Sequence, residues 1–186
     1  MNFSESFLLR DLGRSLTAIC LSAAMGLAPL SAAAADGSPA ARATMKGADG
    51  ATLGVVTLVQ TPGGVLLRGT LEGVPAGGHG FHIHETGKCD AADGFKSAGG
   101  HLAGDRSHGI LVDGGPHPGD MPNLHAGADR ILVVETVNAR IDLSAGSALF
   151  DGDGSALMLH AGPDDYRSQP AGDAGDRIAC GVIERD

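Results

Sequence analysis

At 186 residues the chain has room for one domain with a real hydrophobic core, and 22 acidic against 13 basic residues give it a formal net charge of −9. So acidic a balance excludes nucleic acid or an anionic lipid surface as a partner held by bulk charge, and an anionic substrate would have to be drawn by a local cation. Thirty glycines and nine prolines leave little room for helix.

The first element is not part of that domain. Arg10 and Arg14 precede an apolar run from Leu16 to Leu30, and Ser31 to Ala35 supply small residues for cleavage. This three-part pattern reads as a secretory signal over residues 1–35, too short to span a bilayer comfortably. Ile19, where lipid attachment wants a small residue before the cysteine, argues against a lipid on Cys20. Cleavage near Ala35 removes two cations and two acids, so the mature charge stays at −9. Residues 36–42 read as a flexible linker and 43–186 as the folded domain. No later run is apolar enough to cross a membrane, and the expected destination is the periplasm.

Short apolar runs then alternate with turn residues. Thr52–Thr61 and Val65–Val74 are joined by Pro62-Gly63-Gly64, a hairpin signal. Further strands are expected at Gly80–Thr86, Arg130–Val137, Ser155–Ala161 and Arg177–Glu184. The pattern is all-β, an antiparallel sandwich or barrel. Between His84 and Arg130 lies a long stretch of little strand character, and loops of that length in a compact domain are usually functional or disordered. Its histidines favour function. Cys89 and Cys180 are the pair left after signal removal, and in an exported chain a disulfide is the natural reading.

The histidines are spaced for metal. His82 and His84 point to one face of a strand, about 7 Å apart at Cα level. His160 ends another expected strand and can converge with them. His101, His108, His117 and Asp120 follow in the long loop, and His-x-x-Asp is a common metal-binding spacing in a turn. Six histidines and one aspartate divide into an all-imidazole site and a site of imidazoles plus carboxylate.

The segments HGFHIHE, SAGGH, PHPGDMP, LMLHAGPDDY and GDRIACGVI resemble, in order over about Ala43 to Glu184, the copper–zinc superoxide dismutases, particularly the exported bacterial members. The resemblance implies an eight-stranded antiparallel Greek-key β-barrel with long metal-binding loops. It implies His82, His84, His101 and His160 as copper ligands, and His101, His108, His117 and Asp120 as zinc ligands, with His101 bridging the two ions. Asp164 is implied as the carboxylate linking a copper and a zinc histidine, Arg177 as the guanidinium beside the copper, and Cys89–Cys180 as the family disulfide. Arg177 and His101 are the expected catalytic groups and superoxide the expected substrate. Copper suits the task because the reaction needs two accessible oxidation states, whereas zinc stays divalent.

Three departures stand out. The seven-residue interval from His101 to His108 is shorter than usual for the family, and no Asp-Pro follows the bridging histidine. Asp173 and Asp176 in the loop before Arg177 oppose attraction of an anion. With no tryptophan and one tyrosine, Tyr166, an aromatic dimer contact is not implied, so a homodimer and a monomer both fit. His79 reads as a structural histidine bonded to backbone, and His125 as a surface residue. The competing reading is an exported copper- and zinc-binding protein of the same fold without turnover, a metal buffer or carrier. Such proteins usually lack a ligand, the bridge or the arginine.

Overall fold

The computed structural model describes residues 40–186. The expected signal, its Cys20 and residues 36–39 of the expected linker lie outside the described residues. Nine strands form within them: β1 (Ala41–Gly47), β2 (Thr52–Thr61), β3 (Gly64–Glu72), β4 (Gly77–His79), β5 (Phe81–His84), β6 (Leu124–Ala126), β7 (Ile131–Asn138), β8 (Ala156–His160) and β9 (Arg177–Arg185). Three 3-10 turns accompany them, and no helix among the described residues is long and apolar enough to cross a membrane.

All pairings are antiparallel, in the order β4-β6-β7-β3-β2-β1-β9-β8-β5. The two ends of that order, β4 and β5, are consecutive in the chain and separated only by Gly80. Gly80 donates to Gly162 O and accepts from His160 N at 2.8 and 2.9 Å, so one residue carries the chain across the seam of a nearly closed barrel. Counted as one interrupted strand, β4 and β5 give the eight strands of the expected architecture.

The hairpin signal is real. β2 runs over Thr52–Thr61, with Thr61 paired to Gly64 across the turn. Gly64 takes φ +127°, and a Cβ there would lie 2.4 Å from Asn138 O, so glycine is required. β1 begins at Ala41, two residues ahead of the expected domain start, and Ala41 and Arg42 belong to the barrel rather than to a linker. Its burial alternates strictly, with Ala41, Ala43 and Met45 inside.

Alternation on two neighbouring strands builds the platform for the site. Phe81 and Ile83 of β5 and Leu157 and Leu159 of β8 point into the core, all fully buried. Truncating one of these to alanine costs about 2–5 kcal/mol. His82, His84 and His160 therefore stand on the outer face of the barrel. That face is not left to solvent. Residues 85–123 fold back over it through Leu102 N to Ile83 O (2.8 Å) and Ile83 N to Gly119 O (2.9 Å). A second cluster of Phe95, Ala98, Ala156, Met158 and Cys180 buries the adjoining part of the face. The Cys89–Cys180 disulfide, with Cα atoms 5.6 Å apart, ties this loop to β9.

Candidate metal centre

β5 presents His82 and His84, and β8 presents His160, each almost wholly buried. The loop brings His101 alongside by an isolated bridge between His84 and His101. One donor atom from each of these four residues lies within 4.8 Å of the others. His101, His108, His117 and Asp120 form a second buried group by the same measure, so His101 belongs to both. Its ring centroid lies 4.1 Å from that of His82 and 5.0 Å from that of His84 on one side. On the other it lies 5.2 Å from His108 and 5.6 Å from His117.

Partners on the far side of each ring fix which nitrogen is free. His82 Nε2 bonds Asp164 Oδ2 (2.8 Å), His84 Nδ1 donates to Gly99 O (3.0 Å) and His160 Nδ1 donates to Gly175 O (3.2 Å). Such outer contacts hold a metal-binding imidazole in one tautomer and one orientation. The opposite atoms, His82 Nδ1, His84 Nε2 and His160 Nε2, have no hydrogen-bond partner although buried, and neither has His101 Nε2.

The second group converges on one oxygen. Asp120 Oδ1 lies 3.0 Å from His101 Nδ1, 3.1 Å from His108 Nδ1 and 3.3 Å from His117 Nδ1, the last without hydrogen-bond geometry. In a tetrahedral zinc site with bonds of about 2.0–2.1 Å, neighbouring donors stand roughly 3.3 Å apart. The donor set fits zinc in both type and spacing. The other carboxylate oxygen, Oδ2, accepts Gly109 N (2.9 Å) and His117 N (3.0 Å), which fixes the group's orientation.

Protonation follows from burial and these bonds. Burial pushes the His82, His84 and His160 imidazoles down from 6.5 to about 4, 2 and 3, with the neighbouring histidines adding to the effect. His117 is lowered by the same cause. For Asp120 and Asp164, burial alone would raise the carboxyl. Hydrogen bonds from His101 and Gly109, and from His82, Tyr166 and His108, outweigh it and hold both below the ordinary range. These shifts favour neutral imidazoles at His82, His84, His117 and His160 and an ionised carboxylate at Asp120, the forms that bind metal.

Asp164 also bonds His108 Nε2 at 3.1 Å through Oδ1 and so joins a histidine of each group. Arg177 is half-buried. It donates from Nη1 to Phe95 O (2.6 Å) and from Nη2 to Gly99 O (2.7 Å), and it lines a cavity of about 260 Å³ with His84, His101, His160, Pro170 and Gly175. Asp173 borders the adjoining recess and is exposed, so an acid stands at the approach. His79 lies outside both groups, with its ring nitrogens 2.7 Å from His160 O and 2.8 Å from Pro75 O. His125 is exposed on β6. The carbonyls of Phe95, Gly99 and Gly175 that orient Arg177 and two rings carry no signature in a sequence, because any residue supplies one.

Fold and donor groups together define a β-barrel protein with two adjoining donor groups that share a histidine and could each hold an ion. The family model for copper/zinc superoxide dismutase (SODC) matches residues 52–183. A Cu-Zn superoxide dismutase of Aquifex aeolicus is 46% identical over 139 residues, spanning 73% of this chain and 82% of its own. One from Caulobacter vibrioides is 43% identical over 149 residues, spanning 77% and 85%. Among solved structures, a SOD-like protein from Bacillus subtilis superposes with a TM-score of 0.71 at 34% identity, over 76% of this chain and 96% of that one. The Cu/Zn superoxide dismutase from Brucella abortus gives 0.62 at 31%, over 77% and 98%. The chain belongs to the copper/zinc superoxide dismutase family.

Proposed function

We propose that the chain is an exported, periplasmic enzyme that converts two superoxide anions and two protons into molecular oxygen and hydrogen peroxide. Copper is held by His82, His84, His101 and His160, and zinc by His101, His108, His117 and Asp120. One observation carries the reading: of the five buried ring nitrogens without a hydrogen-bond partner, four belong to a single cluster, His82, His84, His101 and His160. A buried polar atom left bare costs roughly 1–3 kcal/mol, and a bound ion answers all four at once.

When bound, copper supplies a one-electron couple that takes an electron from one superoxide and gives it to the next, while zinc contributes fixed charge and no redox chemistry. The chain's own residues do the rest. Arg177 brings a cation to the cavity wall, where an anion meets it against the −9 charge of the whole. Burial lowers its pKa and Asp93 works in the opposite direction, but a guanidinium remains charged at neutral pH. His101 is held at Nδ1 by Asp120 Oδ1, 3.0 Å away, which leaves Nε2 as the atom that would meet copper or, when not so engaged, carry a proton toward the peroxide. His82, His84 and His160 stay neutral and oriented by Asp164, Gly99 O and Gly175 O. The signal over residues 1–35 and the disulfide both favour an oxidising compartment.

The test is metal analysis of the secreted mature chain with an assay of superoxide consumption, repeated on His101→Ala. We expect one copper and one zinc per chain, turnover that vanishes without copper, and an altered copper spectrum in the variant. A chain that binds both ions without turnover would instead be a metal buffer of this fold. An unchanged spectrum and rate in His101→Ala would remove the bridge.

A further inference from the structure

We infer that Gln169 is a positioning residue for His108, supplying from the β8–β9 loop the support that the short stretch between His101 and His108 lacks. The inference rests on the reading of His108 as a zinc ligand. His108 sits only seven residues beyond His101, in a turn whose own contacts run elsewhere: Ser107 N to Gly114 O, and Arg106 to the carbonyls of Gly115 and Pro116. The main chain of His108 is held from across the gap. Its N–H donates to Gln169 Oε1 at 3.0 Å, and its carbonyl accepts from Gln169 Nε2 at 2.8 Å. One planar amide thus pairs with both main-chain groups, as a neighbouring strand would. A third bond, Nε2 to Arg167 O at 3.0 Å, fixes the amide's orientation.

The loop bearing Gln169 is shaped to reach this position. Gly172 N bonds Ser168 O (2.7 Å) and Asp165 N bonds Gly172 O (2.9 Å), closing residues 165–172 into a compact turn. Gly172, at φ +70°, lies against the Asp164–His108 contact, where a Cβ would stand 1.9 Å from Asp164 Oδ1 and 2.6 Å from His108 Nε2. The same turn therefore meets His108 at the ring through Asp164 and at the backbone through Gln169. The ring contact is the expected carboxylate link. The backbone contact is a separate hold, and nothing in the run Arg167-Ser168-Gln169-Pro170 marks it in the sequence.

Loss of supporting hydrogen bonds behind a metal ligand typically weakens the metal's hold by about 10–100-fold. The experiment compares the parent chain with Gln169→Ala, Gln169→Glu and Gln60→Ala. Gln60 is a matched control, because its side chain likewise braces main-chain groups, Leu143 N and Gly64 O, far from the centre. Zinc release to a chelator should quicken about tenfold in Gln169→Ala and less in Gln169→Glu, which keeps the acceptor for His108 N–H. Copper retention should be unchanged in both, and Gln60→Ala should release zinc at the parent's rate. In the metal-free chains, exchange of the His108 amide hydrogen should quicken several-fold in Gln169→Ala alone. Parental zinc release and parental amide exchange in Gln169→Ala would overturn the inference, as would equal loss of zinc from Gln60→Ala. A parent chain that takes up no zinc would overturn the metal reading, while the amide exchange would still report whether Gln169 holds His108. Should Gln169→Ala fail to fold, Gln169→Leu, which keeps the side chain's bulk and removes both hydrogen-bonding groups, carries both measurements with the same expected and overturning outcomes.

Discussion

In the proposed reading Arg177, which lines the cavity, sets the balance between attraction and repulsion at its mouth. Two of its N–H groups are committed to Phe95 O and Gly99 O, so the cation cannot swing away to pair with Asp173 or Asp176 without breaking both bonds. Arg177→Glu should lower the bimolecular rate with superoxide by about tenfold or more at low ionic strength, a scale general to charge focused in a cleft, and leave metal content alone. Added salt should narrow the difference, since screening shortens to about 10 Å at 0.1 M. Equal rates for parent and variant at low salt would remove Arg177 from substrate capture. The histidines were legible as residues because few other reasons place so many imidazoles on one strand and one loop. What each nitrogen does was not, since that depends on carbonyls and carboxylates contributed by distant segments. His108 illustrates the point: the short interval before it gave no sign of how its backbone would be held.

Among the elements, the loop from Glu85 to Asn123 is where donors, disulfide and barrel face meet. Cys89–Cys180 closes a span of 91 residues, worth about 4–5 kcal/mol in the chain-entropy account, and the two carbonyls that grip Arg177 lie between Cys89 and His101. The double variant Cys89→Ser/Cys180→Ser should therefore lose stability on that scale in denaturant titration. It should also lose rate beyond what its residual metal content explains. Full activity per bound copper would separate the disulfide from the placement of Arg177. Strands with large apolar side chains at alternate positions were readable from the chain, and β2 was bounded correctly. β1 was missed because alanine, weakly apolar and hard to tell from a linker, occupies two of its inward sites, Ala41 and Ala43. β4 and β6 have three residues each, too few to display a period, and gain their pairing only from barrel closure.

For the molecule as a whole, the centre trades stability for function, and pH exposes the trade. In the unfolded chain the three histidines held at about 4, 2 and 3 titrate near 6.5 instead. Their folded values lie below their unfolded ones, so the unfolded state takes up more protons as pH falls through this window. The metal-free protein should thus be progressively destabilised from pH 6.5 downward. Asp120 and Asp164, both depressed, add to the loss at lower pH as they protonate. Denaturant midpoints of the demetallated chain between about pH 8 and pH 4.5 would check this, and a flat profile would mean that the centre opens to water before the barrel unfolds. The covered edge of the sheet has a different consequence. At β5, the last member of the strand order, the outer margin is engaged by Leu102 and Gly119, so this edge offers a neighbouring molecule no row of vacant amides to extend. Protection of this edge and, in the proposed reading, custody of the ions therefore fall to the same covering segment.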